Sequence, residues 1–417
     1  MSKMWIKKRL GEVCEISSSL VDPRKPDFIN LLHIGAGNMI SGTGELVDIK
    51  TAKEEELKSG KFLFDRTMVL YSKIRPYLMK VARPEFDGLC SADVYPLSPD
   101  TTQLDRDFLF YLLISREFTK YAIEGSSRAG MPKVNREHLF NFTTFIPPLS
   151  EQKRIVAILD EAFEGIERAI ANAEKNLANS RELFESYRNS ILTQENRQWQ
   201  ETKLGAEIDL MTGFPFKSNR YTDSDQSIRL LRGDNIVQGA LRWDDVKKWP
   251  ASEINEYLSY QLKEGDVVLA MDRPWVKAGL KHAMISCDDL PCLLVQRTAC
   301  LRGNKNINNR FLMYLIGSHS FIQHILSNQT GIGVPHISGK QIQSFKFLKP
   351  SLSEQNFISD NLDELRSKSQ RLETIYRQKI AALNELKQSI LQKAFTGELT
   401  ADTANQTTKA AKDGIAA

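Results

Sequence analysis

The sequence predicts an α+β protein in which two mixed α/β globules are joined by two long helices forming an antiparallel coiled coil. Three observations lead there: an internal duplication, two long stretches of apolar residues spaced three and four apart, and short β-like runs confined to the segments ahead of those stretches.

The duplication is read from order and spacing. Leu10-Gly11 returns as Leu204-Gly205, each soon after a tryptophan (Trp5, Trp199), and Leu31-Leu32 with Asn38 returns as Leu230-Leu231 with Asn235. FLFYLL from Phe108 returns as FLMYLI from Phe311, Gly130-Met131-Pro132 as Gly333-Val334-Pro335, and PPLSEQ (Pro147 to Gln152) as PSLSEQ (Pro350 to Gln355). The offset begins at 194, reaches 203 by Phe108 and holds there through the SEQ motif, the pattern left by duplication followed by loop insertion.

Each repeat has two parts. Residues 1–147 and 196–350 mix short β-like runs (Thr67 to Ser72, Asp266 to Met271) with glycines, prolines and turn residues, and read as mixed α/β globules. Residues 148–195 and 351–399 differ in kind. The first places Ile155, Leu159, Ile166, Ile170, Leu177, Phe184 and Ile191 at helical spacing, the second Ile358, Leu362, Leu365, Leu372, Leu383, Leu386 and Ile390. These residues are expected to pack the helices. Ser150 and Ser353 suit the N-caps, with Glu151 and Glu354 at the positive end of the helix dipole. Neither helix buries its stripe alone, so each is expected against the other, antiparallel because a globule intervenes. The Ala/Thr/Lys-rich segment 400–417 lacks periodicity and reads as a disordered tail.

Composition narrows the function classes. Residues 1–147 carry 21 Lys and Arg against 19 Asp and Glu, residues 196–350 carry 20 against 15, and residues 148–195 carry 6 against 9, so the positive excess sits in the globules. No apolar run approaches the roughly 18 residues of a membrane span, and Met1 to Leu10 is basic without the apolar stretch of a signal peptide. Cys14, Cys90, Cys287, Cys292 and Cys300 form no CxxC pair and read as reduced core thiols of a cytoplasmic protein.

Complete catalytic motifs are missing from the sequence. Asp272-Arg273-Pro274-Trp275 is a partial likeness to the (N/D)PP(Y/F/W) motif of amino-methyltransferases, but Arg273 replaces the first proline and no FxGxG-like loop precedes it. The matching stretch of the first repeat, Lys73-Ile74-Arg75-Pro76-Tyr77, has no acid or amide. Pro26-Asp27 with Glu56-Leu57-Lys58 fits a loose PD…ExK nuclease pattern made of common words, with no counterpart in the second repeat. The six histidines form no HExxH, and no GxxxxGK[ST] loop occurs. The chain is therefore expected not to be an enzyme, and metal ligands are not expected.

A globule, PLSEQ leading into a long helix, a second globule, and SEQ leading into a second helix that closes with SILQKAFTGEL (Ser389 to Leu399) together resemble the specificity subunits of type I restriction-modification systems. The resemblance covers nearly the whole chain to about Leu399. It implies that each globule is a target-recognition domain reading one half of a split site in double-stranded DNA. It further implies that the helices set the spacer and dock two modification subunits, which use S-adenosylmethionine to methylate adenine, and that restriction subunits complete the assembly. No cofactor is expected in this chain itself.

On this reading the Gly-x-Pro loops supply the first DNA-contact candidates: Ser126, Ser127, Arg128 and Lys133 in one copy, Gln329, Thr330 and His336 in the other. Glycine admits close backbone approach, while hydroxyl, amide and cationic groups bond phosphates or base edges. Arg75, Tyr77, Arg273 and Trp275 form a second rank. A turn ahead of a strand explains Gly-x-Pro equally well. A stand-alone methyltransferase or nuclease lacks a complete site, whereas a coiled-coil scaffold without DNA recognition stays compatible with the residues alone.

Overall fold

The computed structural model describes residues 5–16, 20–126, 131–193, 199–276, 279–327 and 336–400. Compactness groups the chain into two units, one formed by Met1–Glu174 with Gln378–Ala417 and one by Lys175–Arg377. Each unit thus holds one globule and half of each long helix, whereas the division drawn from sequence separates globule from helix.

In the first unit, Ile6–Arg9 pairs antiparallel with Thr143–Ile146, closing the globule where the long helix begins. A four-stranded antiparallel sheet runs in the order Cys14–Glu15, Val94–Pro99, Val69–Ser72, Val81–Ala82. A second, five-stranded sheet includes Leu32–Ile34 parallel to Gly88–Cys90. Against the sheets pack α1 (Arg106–Leu113), α2 (Arg116–Glu124) and α3 (Arg136–Phe140), capped by the side chains of Asp105, Ser115 and Asn135. The long helix α4 (Leu149–Leu192) follows.

The second unit repeats this plan. Gln200–Lys203 pairs with Lys346–Lys349, and a four-stranded sheet runs Ile208–Thr212, Thr298–Gly303, Val267–Ala270, His282–Met284. A three-stranded sheet pairs Ser227–Leu231 parallel to Cys292–Leu294. Helices α5 (Asn309–Ile316), α6 (His319–Ser327) and α7 (Gly339–Gln343) precede the long helix α8 (Leu352–Thr396).

The repeated SEQ motif has a structural cause. Gln152 is fully buried; its Oε1 accepts the Asp105 N–H at 2.7 Å, and its Nε2 donates to the carbonyls of Gln103 and Pro147, each at 2.8 Å. Gln355 repeats the arrangement, accepting from Asn308 N–H at 2.8 Å and donating to the Asn306 and Pro350 carbonyls at 3.1 and 2.9 Å. One amide therefore ties the start of each long helix to the cap of the helix packed against it. Asp160 and Asp363 extend the tie: Tyr111 donates to Asp160 at 2.6 Å, and Tyr314 donates to Asp363. The repeated glycines Gly11 and Gly205 let a turn approach α3 and α7, since a Cβ there would stand 2.9 Å from Phe140 Cβ and 2.8 Å from Gln343 Cβ.

Within each unit the helix halves run antiparallel. In the first, Ile155, Leu159 and Phe163 share a core with Leu391, Ala394 and Phe395, and Lys387 pairs with Glu167 at 2.9 Å. In the second, Ile191 and Leu192 share a core with Ile358 and Leu362, while Ser369 Oγ donates to Ser180 O at 2.7 Å. Ile166 is also buried, and Ile170, Leu177, Phe184, Leu365, Leu383 and Ile390 are half-buried.

Several sequence expectations need correction. Leu372 and Leu386 are exposed, at 40 and 47%, and do not pack the seam. Each lies one residue before the position facing inward, Glu373 or Lys387, and one residue turns a helix by about 100°. The N-caps also move. α8 starts two residues earlier than Ser353 predicts, with Ser351 and Glu354 in a reciprocal capping pair, Ser351 N–H donating to Glu354 at 2.9 Å. α4 starts at Leu149 with the Pro148 carbonyl receiving Glu151 and Gln152 N–H, so Ser150 is inside the first turn. Among the thiols, Cys14, Cys90, Cys292 and Cys300 are buried but Cys287 is exposed. The segment expected as a tail lies, beyond Thr400, outside the described residues.

Gln152→Leu or Gln355→Leu leaves two carbonyls and one N–H unpaired in a buried setting, at about 1–3 kcal/mol each before relaxation. Urea unfolding of either variant should show a loss of about 3 kcal/mol or more; a loss under about 1 kcal/mol would refute the anchoring role.

Candidate nucleic-acid interface

In both units the four-stranded sheet delivers the same turn. After Val69–Ser72 comes Arg75 in the left-handed region (φ 50°, ψ 61°), then buried Pro76 and exposed Tyr77. After Val267–Ala270 comes Arg273, again left-handed (φ 43°), then buried Pro274 and exposed Trp275. A non-glycine residue pays roughly 1–2 kcal/mol for this backbone region. Proline acts as the anchor, and its fixed ring leaves the flanking cation and aromatic ring pointing away from the core.

The structure joins the two ranks of candidates. Ile74 bridges Lys133, and Arg75 N–H donates to Pro132 O at 2.9 Å, so the Arg-Pro-Tyr turn lies beside the Gly-x-Pro loop. In the second unit Asp272 bridges His336, and Ile337 N–H donates to Met271 O at 2.8 Å. Ser127, Arg128, Gln329 and Thr330 lie outside the described residues. Ser126 is a correction: it is buried, and its hydroxyl donates to Ile123 O at 2.8 Å because it closes the end of α2. It is thereby withdrawn from the surface.

Electrostatics differ between the copies. In the first unit Lys133 and Lys73 share Asp93, at 3.2 and 3.7 Å, and Lys73 also stands over the Tyr95 ring at 5.0 Å. Burial pulls the Lys73 pKa down, and Lys133 adds to the effect. In the second unit Asp272 is held by His336 at 2.5 Å and by Arg297 at 2.8 Å. The acid that gave the partial methyltransferase likeness is therefore engaged in an ion-pair cluster. Lys281, buried near Arg242, Arg273 and Asp234, has its pKa lowered chiefly by burial. Sequence reading missed Asp93, Lys73, Arg297 and Lys281; the left-handed φ of Arg297 (65°) carries no sequence signature, and Lys73 was visible only through the repeat alignment. Among the described residues no group of three or more His, Cys, Asp or Glu is placed to hold a metal ion, and no helix is long and apolar enough to cross a membrane.

Two predictions follow from this geometry. Arg75→Gly and Arg273→Gly should leave thermal stability unchanged or raise it by up to about 1 kcal/mol, because glycine adopts the left-handed backbone without penalty. A loss above about 1 kcal/mol would mean that the side chains hold the turns together instead. Separately, His282 is buried, its ring donating from Nδ1 to Leu280 O at 3.0 Å, and burial lowers its pKa to about 4 from 6.5. The unfolded chain takes up this proton first, so the contribution is full above pH 6.5 and is lost as pH falls toward 4, by up to about 3 kcal/mol. His282→Asn should flatten the stability–pH curve in that window, measured by urea unfolding; an unchanged slope would count against it.

Comparison with known proteins places this architecture. A family model described as the type I restriction modification DNA specificity domain matches residues 2–175 and again 196–382. Among curated relatives, the EcoAI specificity subunit of Escherichia coli is 38% identical over 180 residues, 43% of this chain and 30% of that protein. The MjaVIII specificity subunit of Methanocaldococcus jannaschii is 27% identical over 326 residues, 75% of this chain and 74% of that protein. The match to the EcoDI specificity subunit of Escherichia coli, 34% identical, spans 46% of this chain and 43% of that relative, so two of these relatives are matched over less than half their length. A chain solved in work on complex assembly and conformational transition of the type I R-M system superposes with TM-score 0.80 at 22% identity, covering 96% of this chain and 99% of that one. The HsdS subunit from Thermoanaerobacter tengcongensis superposes with TM-score 0.58, also at 22% identity, over 96% and 98%.

Proposed function

Since this chain belongs to the type I restriction-modification DNA specificity family, we propose that it binds double-stranded DNA at a bipartite site, each globule reading one half. The observation that carries the reading is the duplicated Arg-Pro-aromatic turn, whose strand end is bridged to Lys133 in the first unit and to His336 in the second. An exposed guanidinium can bond phosphate or the guanine edge, and an exposed ring can lie against sugar or base. Arg75, Tyr77 and Lys133 serve the first half-site; Arg273, Trp275 and His336 serve the second. Ser127, Arg128, Gln329 and Thr330 are proposed with them from sequence alone.

In this reading the chain does no chemistry. Two modification subunits dock on the helices and supply adenine methylation with S-adenosylmethionine, and restriction subunits join them. Residues 1–147 and 196–350 are then the recognition domains, and 148–195 and 351–399 the spacers. Leu372 and Leu386, exposed on α8, belong with the docking surface rather than with the seam.

The test is the methylated motif in cells expressing the chain with its modification partner. Replacing residues 1–147 by the matching domain of a relative should change one half of that motif only; a change in both halves would refute independent reading. In the assembled complex, Arg75→Gly and Arg273→Gly should each weaken duplex binding about 10-fold or more, equivalent to about 1–3 kcal/mol. Unchanged affinity for both variants, measured by fluorescence anisotropy, would remove the turns from the interface.

A further inference from the structure

The second unit contains a cavity of about 620 Å³ where halves of α4 and α8 meet the globule. Arg188, Arg366, Arg181, His282, Phe184 and Tyr314 are in its lining. Arg188 is 6% exposed, and its Nε is buried without a partner, while another nitrogen of its head group meets Glu185. Arg366 donates to the neutral carbonyl of Gly239 at 2.7 Å. Glu373 is already shared by Arg181 and Arg377, at 2.9 and 2.8 Å. Burial lowers the pKa of Arg188, Glu185 opposes this, and the like charge of Arg366 adds to it. His282 is neutral at pH 7 and supplies no countercharge.

The first unit shows what the same junction needs for packing alone. The repeat offset is 199 where Ser190-Ile191-Leu192 matches Ser389-Ile390-Leu391, 203 from the SEQ motif into the helix, and 197 at Asn38 and Asn235, so Lys387 stands for Arg188, Phe163 for Arg366 and Gly42 for Gly239. Lys387 is buried and satisfied: it donates to Gly42 O at 3.1 Å and pairs with Glu167 at 2.9 Å, over the Phe163 ring at 4.7 Å. One cation, one carboxylate and one ring seal that junction. The second unit replaces the ring by a further guanidinium and keeps an open, half-apolar space. Extra positive charge, an unpartnered guanidinium nitrogen and a volume within the roughly 300–1,000 Å³ of small-molecule sites mark a binding site rather than a packing joint.

We propose that this cavity binds a small oxyanion ligand, a molecule carrying a phosphoryl or carboxylate group, with Arg188 and Arg366 on the anion and Phe184 and Tyr314 against its organic part. The planar donors of arginine suit both anions. Because the lining comes from both helix halves and the Gly239 turn, the bound ligand ties the second unit together and raises its stability by mass action.

The test uses the purified full chain with inorganic pyrophosphate and succinate as probes, against sodium chloride at equal ionic strength. Calorimetry should find one site for at least one probe, with a dissociation constant below about 1 mM, together with a rise in melting temperature. Arg366→Gln should weaken that binding at least about 10-fold with an unchanged far-ultraviolet spectrum, and exposed Arg371→Gln should leave it intact. If Arg366→Gln does not fold, Arg188→Lys is the second variant, expected to weaken binding by removing the Nε donor. Pyrophosphate binding selects a phosphoryl ligand, and succinate binding a carboxylate. Binding of neither probe above chloride, or binding unaffected in the folded variant, overturns the proposal. Displacement of bound pyrophosphate by a short DNA duplex also overturns it, since the occupant would then be nucleic-acid backbone.

Discussion

A buried glutamine amide at the start of each long helix sets the geometry on which the rest of each unit depends. Gln152 and Gln355 use both ends of the side chain, accepting from the cap residue of α1 or α5 and donating to carbonyls on either side. A buried amide with every bond made is directional in a way that apolar packing is not. The cores alone would let a helix slide or rotate against its sheet. The amide fixes its first turn, and the tyrosine-to-aspartate bond about two turns later fixes its rotation. The register of the helix halves then follows from where each one begins.

On this shared frame the two units spend charge differently. Arg83 in the first unit reaches Asp160 at 2.7 Å and Asp107 at 3.1 Å, whereas in the second unit Arg310, from the position equivalent to Asp107, reaches Asp363 and Asp360 directly. The same junction is made with the basic group donated from a strand end in one case and from a helix in the other. Packing tolerates such exchange because these partly exposed groups remain paired in both units. The junction at Arg188 and Arg366 breaks the pattern, which is why it stands out from neutral divergence.

The left-handed arginines belong to a different class of feature. Arg75 and Arg273 hold a backbone conformation that their type disfavours, at the same place in both copies, with buried prolines fixing the turn. Strain duplicated at an exposed site is not explained by the cores beneath it. Under the proposed function, the turn sets each side chain where it would meet a polyanion.

The sequence by itself determined the duplication, the mixed α/β character of the globules, the two long helices and the family. These rest on order, spacing and helical periodicity, which are local properties of the chain. It also named Arg75, Tyr77, Arg273 and Trp275, because the repeat alignment set the two turns side by side. Only the tertiary structure decided which residues of a turn face outward. It buried Ser126 against Ile123, engaged Asp272 with His336 and Arg297, and seated Glu373 and Lys387 where leucines were expected. The reason is physical. A seam position is set by helix phase relative to a partner, and phase here is fixed by Gln152, Gln355 and the aspartate bonds, whose partners lie about 50 residues away. Nor could the sequence reveal the arginine-lined cavity, which exists because residues from α4, α8 and the globule meet around a space that no single segment encloses.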